Sequence, residues 1–203
     1  HIEMIDGRLS GYLIDIFRDG AAVMLLALGM TLVIATGGID LSVGSICAFT
    51  LCVMAKLSVT EGYMSIWAAM CVAILIGTLC GMLNGVIIHF GNVPPFVATL
   101  GMMGIARGAA LIITRGSPTV GFPESFQWIG GGYVLDVIPF PLILAGAITL
   151  LCYLMLKFTV TGRNFYAVGG NEEASRLSGI RISSARVLAY TISGLCSAIA
   201  GVV

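Results

Sequence analysis

The feature that most constrains this chain is a series of long stretches without a single Asp, Glu, Lys or Arg. They cover residues 20 to 39, 41 to 55, 62 to 88, 90 to 106, 137 to 156 and 187 to the end. A helix crossing the hydrocarbon core of a bilayer needs about 20 mostly apolar residues, and most of these stretches have that length. Composition agrees: the chain is 58% hydrophobic and 10% charged, against about 25% charged in an ordinary soluble domain. It has too little polar surface to cover itself in water, so the expected fold is an all-α, polytopic transmembrane bundle.

Two stretches predict broken, tilted or partial spans: 41 to 55 is short, and Arg107 interrupts 94 to 114. The chain begins at His1 and stops at Val203 inside an apolar run, so we read 1–203 as one membrane-embedded domain, incomplete at both ends. The first residues carry Glu3, Asp6, Asp15 and Asp19 against Arg8 and Arg18, unlike the basic head of a signal peptide. The six cysteines lie in apolar runs with no CxxC pair and no histidine at metal-ligand spacing, which reads as core filling. Zero net charge and the lack of a basic stripe argue against a nucleic-acid partner.

Basic residues near span ends accumulate on the cytoplasmic side. Lys157, Arg163, Arg176, Arg181 and Arg186 make up half of the ten Lys and Arg residues, so the loop 159–186 is expected to be cytoplasmic. The loop 115–136 has Glu124 and Asp136 and, beyond Arg115, no basic residue, so it is expected to be periplasmic, with Trp128 and Tyr133 at headgroup level. Alternation then makes "KLSVTEGY" an outer loop, "HFGNVPP" a tight inner turn, and residues 1 to 18 an outer segment preceded by one further span.

The stretch "ATGGIDLSVG" sets two glycines and a carboxylate between two apolar runs. Gly37 and Gly38 permit backbone angles that other residues disfavour. Asp40 is placed to cap a helix beginning at Leu41, facing the positive end of its dipole. A direct contact with a translocated solute is the alternative reading. In "GTLCGMLNG", Gly77, Gly81 and Gly85 are four apart and line one helix face, where another helix can approach closely. Asn84 beside that seam must face the bundle, either bonding a neighbouring helix or lining a path. Asp40, Ser42, Asn84 and Thr99 are therefore the candidate residues for a translocation path or a helix break. Two prolines open the next span, where they suit a first turn, and Gly101, Gly104 and Gly108 read as further close packing. Arg107, alone in mid-run, should face the interior, snorkel, or meet a carboxylate such as Asp40.

In the basic loop, Gly169 and Gly170 stop the chain and Asn171 is a good N-cap. Glu172 and Glu173 then occupy a first turn, where negative charge is favoured. Arg176 falls near the end of the helix, Gly179 suits the C′ position, and Ser183 is placed to cap the following span. The spacing predicts a helix of about two turns outside the bilayer, with Ala174 and Ser175 as its small pair.

Three blocks, "ALGMTLVIATGGIDLSVGS", "GMLNGVIIHFGNVPPFVATLGMMGIARG" and "GRNFYAVGGNEEASRLSGI" with its downstream "SGLCSAIAGVV", resemble the permease subunits of bacterial ABC importers for simple sugars. This is the ribose, xylose, arabinose and galactose group, and "DGRLSGYLIDI" is most similar to its galactofuranose branch. The resemblance implies a permease of about ten spans in the bacterial inner membrane that works as a homo- or heterodimer of permease subunits. It further implies a cytosolic ABC ATPase dimer and a periplasmic sugar-binding protein as partners. By the same resemblance, Gly169, Gly170, Asn171, Glu172, Glu173, Ala174, Ser175, Arg176 and Gly179 form the coupling helix that meets the ATPase. No cofactor is expected on this chain: it contains no GxxxxGK[ST] phosphate loop, so ATP and Mg belong to the partner ATPase. The runner-up is an ion-coupled secondary transporter, which would use an intramembrane carboxylate or histidine, here Asp40 or His89. An intramembrane enzyme would need a nucleophile and base in reach, and no Ser and His pair sits in a comparable context.

Overall fold

The computed structural model describes residues 3–5, 8–10, 12–60, 62–117, 121–122, 124–134 and 137–203. Asp6 and Asp136, which entered the charge argument, and Glu61 of the stretch "KLSVTEGY" lie outside the described residues. A small antiparallel hairpin, β1 (Glu3–Ile5) with β2 (Arg8–Ser10), leads into α1 (Tyr12–Ala35). Then come α2 (Val43–Ala55), α3 (Ile66–Phe90), α4 (Pro95–Thr114), α5 (Glu124–Gly131), the β3 (Tyr133–Val134) and β4 (Ile138–Pro139) hairpin, and α6 (Phe140–Phe158). The chain ends with α7 (Val160–Gly170), α8 (Glu172–Leu177) and α9 (Ile182–Val202). Among the described residues six helices are long and apolar enough to cross a membrane: α1, α2 with its extension, α3, α4, α6 and α9.

The bundle is organised around α9, which packs against α3, α1 and α2. Of the six spans α9 has the lowest mean hydropathy and the largest buried share. That inversion follows from the solvent. Lipid tails are as apolar as Leu, so a helix gains little by hiding Leu, and association rests on close packing of small residues. Buried Ala, Ser, Gly and Cys run along α9 from Ala185 to Gly201, while α3 and α6 expose Leu75, Leu79, Leu150 and Leu151.

The loop ends gather as alternation requires. At one end Leu32, Phe165, Val168 and Ile182 form a cluster, with Val33, Ile88 and Tyr190 beside it. At the other end Val53, Met54, Ile66, Phe126, Ile129 and Val202 pack together. Thus the α1–α2 break, the α3–α4 turn, α7 and α8 share one face, and α5 with its hairpin lies on the opposite one. At the α3–α4 turn Asn92 adopts a positive φ and Pro95 takes the first helical position.

Several expectations are corrected. The first span starts at Tyr12, not near residue 20; Arg18 lies 3.1 Å from Asp19 and 3.7 Å from Asp15, which lets the helix carry charge in its first turns. Lys56–Thr60 is no outer loop, because it continues α2 as a π-helical turn and lengthens the short span to 18 residues. Residues 160 to 170 were not foreseen as helical. Their Phe165 and Val168 bury an apolar stripe under α1 and α9, and the Thr159 hydroxyl accepts the Gly162 N–H at 3.2 Å to start the helix. Gly101, Gly104 and Gly108 mark no close packing among the described residues: a Cβ on any of them would meet nothing within 4 Å. Ser183 does not cap α9, whose N-cap is Arg181 with no side-chain bond.

Candidate functional site

The break between α1 and α2 is built from the residues that the sequence singled out. Gly37 takes φ +76°, and its N–H donates to the Ile34 carbonyl at 2.9 Å while that of Gly38 reaches Val33 at 3.0 Å, closing α1. The Ile39–Asp40 link then carries the chain to Ser42, the residue preceding α2. Asp40 Oδ1 accepts the Ser42 N–H at 3.0 Å and the Ser42 hydroxyl at 2.6 Å, and Oδ2 accepts the Ser193 hydroxyl of α9 at 2.8 Å. Asn84 Nδ2 of α3 donates to Ser42 Oγ at 2.9 Å, and the Tyr190 hydroxyl of α9 donates to the Ile39 carbonyl at 3.1 Å. Asp40, Ser42, Asn84 and Ser193 are each 0% exposed, so this is an internal latch joining the break to α3 and α9.

The cap reading of Asp40 is therefore corrected in its geometry. The helix starts at Val43, not Leu41, and Asp40 bonds the N–H one residue ahead of it rather than the second or third N–H inside. A buried carboxylate costs several kcal/mol unless hydrogen bonds compensate it, and three donors across two elements do so here. Arg107 does not pair with Asp40; it is exposed on α4 and makes no ion pair among the described residues. Thr99 is buried, but its hydroxyl donates back to the Pro95 carbonyl at 2.9 Å and joins no network. Asn84 acts as helix-to-helix glue through Nδ2, while its buried Oδ1 has no partner among the described residues.

Replacing Asp40 separates these roles. Asp40→Asn keeps one acceptor for Ser42, and the Ser193 hydroxyl can turn to accept from the new amide, so thermal stability in detergent should stay close to that of the parent. Asp40→Ala orphans the Ser42 N–H and two hydroxyls, each worth about 1–3 kcal/mol when buried and unsatisfied, and should melt distinctly lower. Equal melting of the Ala and Asn variants would remove the latch.

Gly77, Gly81 and Gly85 form the seam that lets α9 reach Asp40. A Cβ on Gly77 would lie 2.7 Å from both Ala198 Cβ and Thr50 Cγ2, and one on Gly85 2.7 Å from Val187 Cα. At Gly81 it would overlap the Tyr190 carbonyl and sit 2.8 Å from Gly194 Cα. Substitution at the last two meets backbone, which no rotamer change can relieve.

On the same face α8 has the predicted caps. Asn171 Oδ1 accepts the Ala174 N–H at 2.9 Å, and Glu172 and Glu173 fill the first turn. Gly179, at φ +80°, closes the helix with its N–H on the Arg176 carbonyl and that of Ile180 on the Ser175 carbonyl, both at 3.0 Å. Glu173 accepts from Arg176 at 2.6 Å and raises that guanidinium above its ordinary value. Glu172 reaches Arg186 of α9 at 2.8 Å and ties α8 to the bundle. Gly169 and Gly170 end α7 rather than lying in a loop, and a Cβ on Gly169 would overlap the Ala35 carbonyl and lie 3.1 Å from Gly37 N. The small pair divides: Ser175 is buried against the protein, and Ala174 faces out. Leu177, three residues on from Ala174 and 80% exposed, was missed by the sequence reading; its one signal was an apolar residue at i+3 in an otherwise polar helix. Among the described residues no three His, Cys, Asp or Glu side chains converge as a metal site.

A family model described as branched-chain amino acid transport system / permease component matches residues 12–203. The ribose import permease protein RbsC of Escherichia coli K12 is 40% identical over 195 residues, 94% of this chain and 60% of that protein. The fructose import permease protein FruF of Bifidobacterium longum is 38% identical over 199 residues, 96% and 55% of the two chains. The galactofuranose transporter permease protein YtfT of Escherichia coli K12 is 41% identical over 198 residues, 98% and 57%. The chain thus spans about 60% of the length of RbsC, and somewhat less of FruF and YtfT. No solved structure matches.

Proposed function

Because the chain belongs to the branched-chain amino acid transport system / permease component family, we propose that it is the membrane-spanning part of a permease subunit of an ATP-driven importer for a monosaccharide. Its relatives are named as permeases for ribose, fructose and galactofuranose. The observation that carries this reading is α8, a helix too short and polar to insert. It is capped at both ends, tied to α9 through Glu172 and Arg186, and presents Ala174 and Leu177 outward. A separate ATPase dimer docks on that face, a second permease subunit completes the path, and a periplasmic binding protein delivers the sugar.

Motion of α8 has a short route inward. Gly169 at the end of α7 touches the Ala35–Gly37 backbone, and that turn holds the Asp40 latch onto α9. Displacing α8 therefore moves the break and the glycine-packed pair together, as rigid-body rocking between two openings requires. The ion-coupled alternative has less to work with, since both Asp40 oxygens already accept hydrogen bonds within the protein.

The complete permease should co-purify with an ABC ATPase, and one sugar-loaded binding protein from a panel should stimulate ATP hydrolysis. Absence of any ATPase would sink the reading. Orientation has its own test in a cysteine-free background. Ser178 and Ser117 are exposed, just after α8 and just after α4. Ser178→Cys should react with an impermeant maleimide only from the cytoplasm, Ser117→Cys only from the periplasm.

A further inference from the structure

The cleft between α2 and α4 is used by nothing described above. It comprises two adjoining cavities of about 440 and 500 Å³ that share Cys52, Leu111 and Thr114. Both fall in the range of about 300–1,000 Å³ typical of small-molecule sites. Most of the wall is apolar, but Arg107 and Ser45 also line it, and the Ser45 hydroxyl makes no hydrogen bond among the described residues. Arg107 is the thirteenth of the 20 residues of α4. At a rise of about 1.5 Å per residue it stands about 18 Å from one helix end and about 10 Å from the other. A guanidinium at that depth is expensive in hydrocarbon, and such residues face the bundle interior or a water-filled cavity. Gly44 completes the wall, and a Cβ there would meet nothing within 4 Å. Its missing side chain serves no helix contact and leaves the cleft open.

We propose that the α2–α4 cleft is the part of the translocation path that receives the sugar ring. This deepens the permease reading and rests on it. The five guanidinium donors of Arg107 meet ring hydroxyls, which can accept them without carrying charge. Ser45 and Thr114 offer hydroxyls on facing walls, and the apolar remainder packs against the C–H faces of the ring. Asp40, Ser42, Asn84 and Thr99, all 0% exposed, are then structural supports beside the path and do not line it.

The test uses the complete permease assembled with its ATPase. With Cys52 as the sole cysteine, a charged, membrane-impermeant methanethiosulfonate should modify it at least tenfold faster than it modifies a sole Cys71, which is exposed on α3 away from the cleft. Gly44→Leu should slow that labelling at least fivefold, with abundance unchanged. It should also cut uptake at least tenfold for whichever of D-ribose, D-fructose and D-galactofuranose the unmodified complex imports. Arg107→Met should lose uptake as severely while the ATPase still co-purifies, and Arg107→Lys should recover part of it. Cys52 reacting no faster than Cys71, or full uptake by Gly44→Leu, would overturn the proposal. If no ATPase accompanies the unmodified permease, the importer reading fails on its own, and the labelling still decides whether the cleft holds water.

Discussion

Gly81→Leu should prevent the folded bundle from accumulating. Even the first carbon added at that position overlaps the Tyr190 carbonyl and lies 2.8 Å from Gly194 Cα, so α3 and α9 must part along their whole contact. Ordinary overpacking costs about 1–3 kcal/mol because side chains can give way; here the obstacle is backbone and the cost is larger. Separation also draws Ser193 away from Asp40 and Asn84 away from Ser42, leaving buried polar groups unpaired. Gly101→Leu is the control, because nothing lies within 4 Å of a Cβ there. Fluorescence-detected size exclusion should show Gly81→Leu lost or aggregated and Gly101→Leu as a single peak with nearly the parent melting temperature. Matching melting temperatures for the two variants would dissolve the seam argument.

Ala174→Trp should leave the bundle intact, strip the ATPase from the complex and abolish uptake. The Ala174 side chain points away from the protein, and the Asn171 cap uses only its backbone N–H, so the helix survives. On the proposed docking face an indole would hold the ATPase off and keep the exposed Leu177 from contact with it. Leu177→Asp gives a second, smaller perturbation of the same face. Loss of a central interface anchor costs about 2 kcal/mol or more, which should weaken ATPase binding at least 30-fold. Ser175→Trp is predicted to fail differently, by unfolding α8, because Ser175 is buried within the chain. Glu172→Gln removes one partly exposed ion pair and should have little effect, since such pairs contribute about 0–1 kcal/mol. Full ATPase retention in the Ala174→Trp variant would reduce α8 to a solvated loop helix.

Apolar runs announced the six membrane-capable helices, because the bilayer imposes a length on any uncharged helix, but they misplaced the end of α2, which Lys56–Thr60 continues where an outer loop was expected. The four-residue spacing of Gly77, Gly81 and Gly85 announced a packed seam, and the caps of α8 were legible residue by residue, since both are local properties. The same local signals misled at Gly101, Gly104 and Gly108, where the spacing is similar but, among the described residues, an added Cβ would meet nothing within 4 Å. The sequence could not say that α9, the least hydropathic span, is the centre. In lipid, apolarity does not report burial; close approach does, and that depends on which faces meet. Nor could it find the partners of Asp40, one of which lies 153 residues away. A carboxylate reads as a cap when only its neighbours are known, and as a latch once the tertiary fold brings Ser193 to it. Helix α7 was hidden for a related reason: with glycines at 162, 169 and 170 its own propensity is poor, and its apolar stripe under α1 and α9 stabilises it.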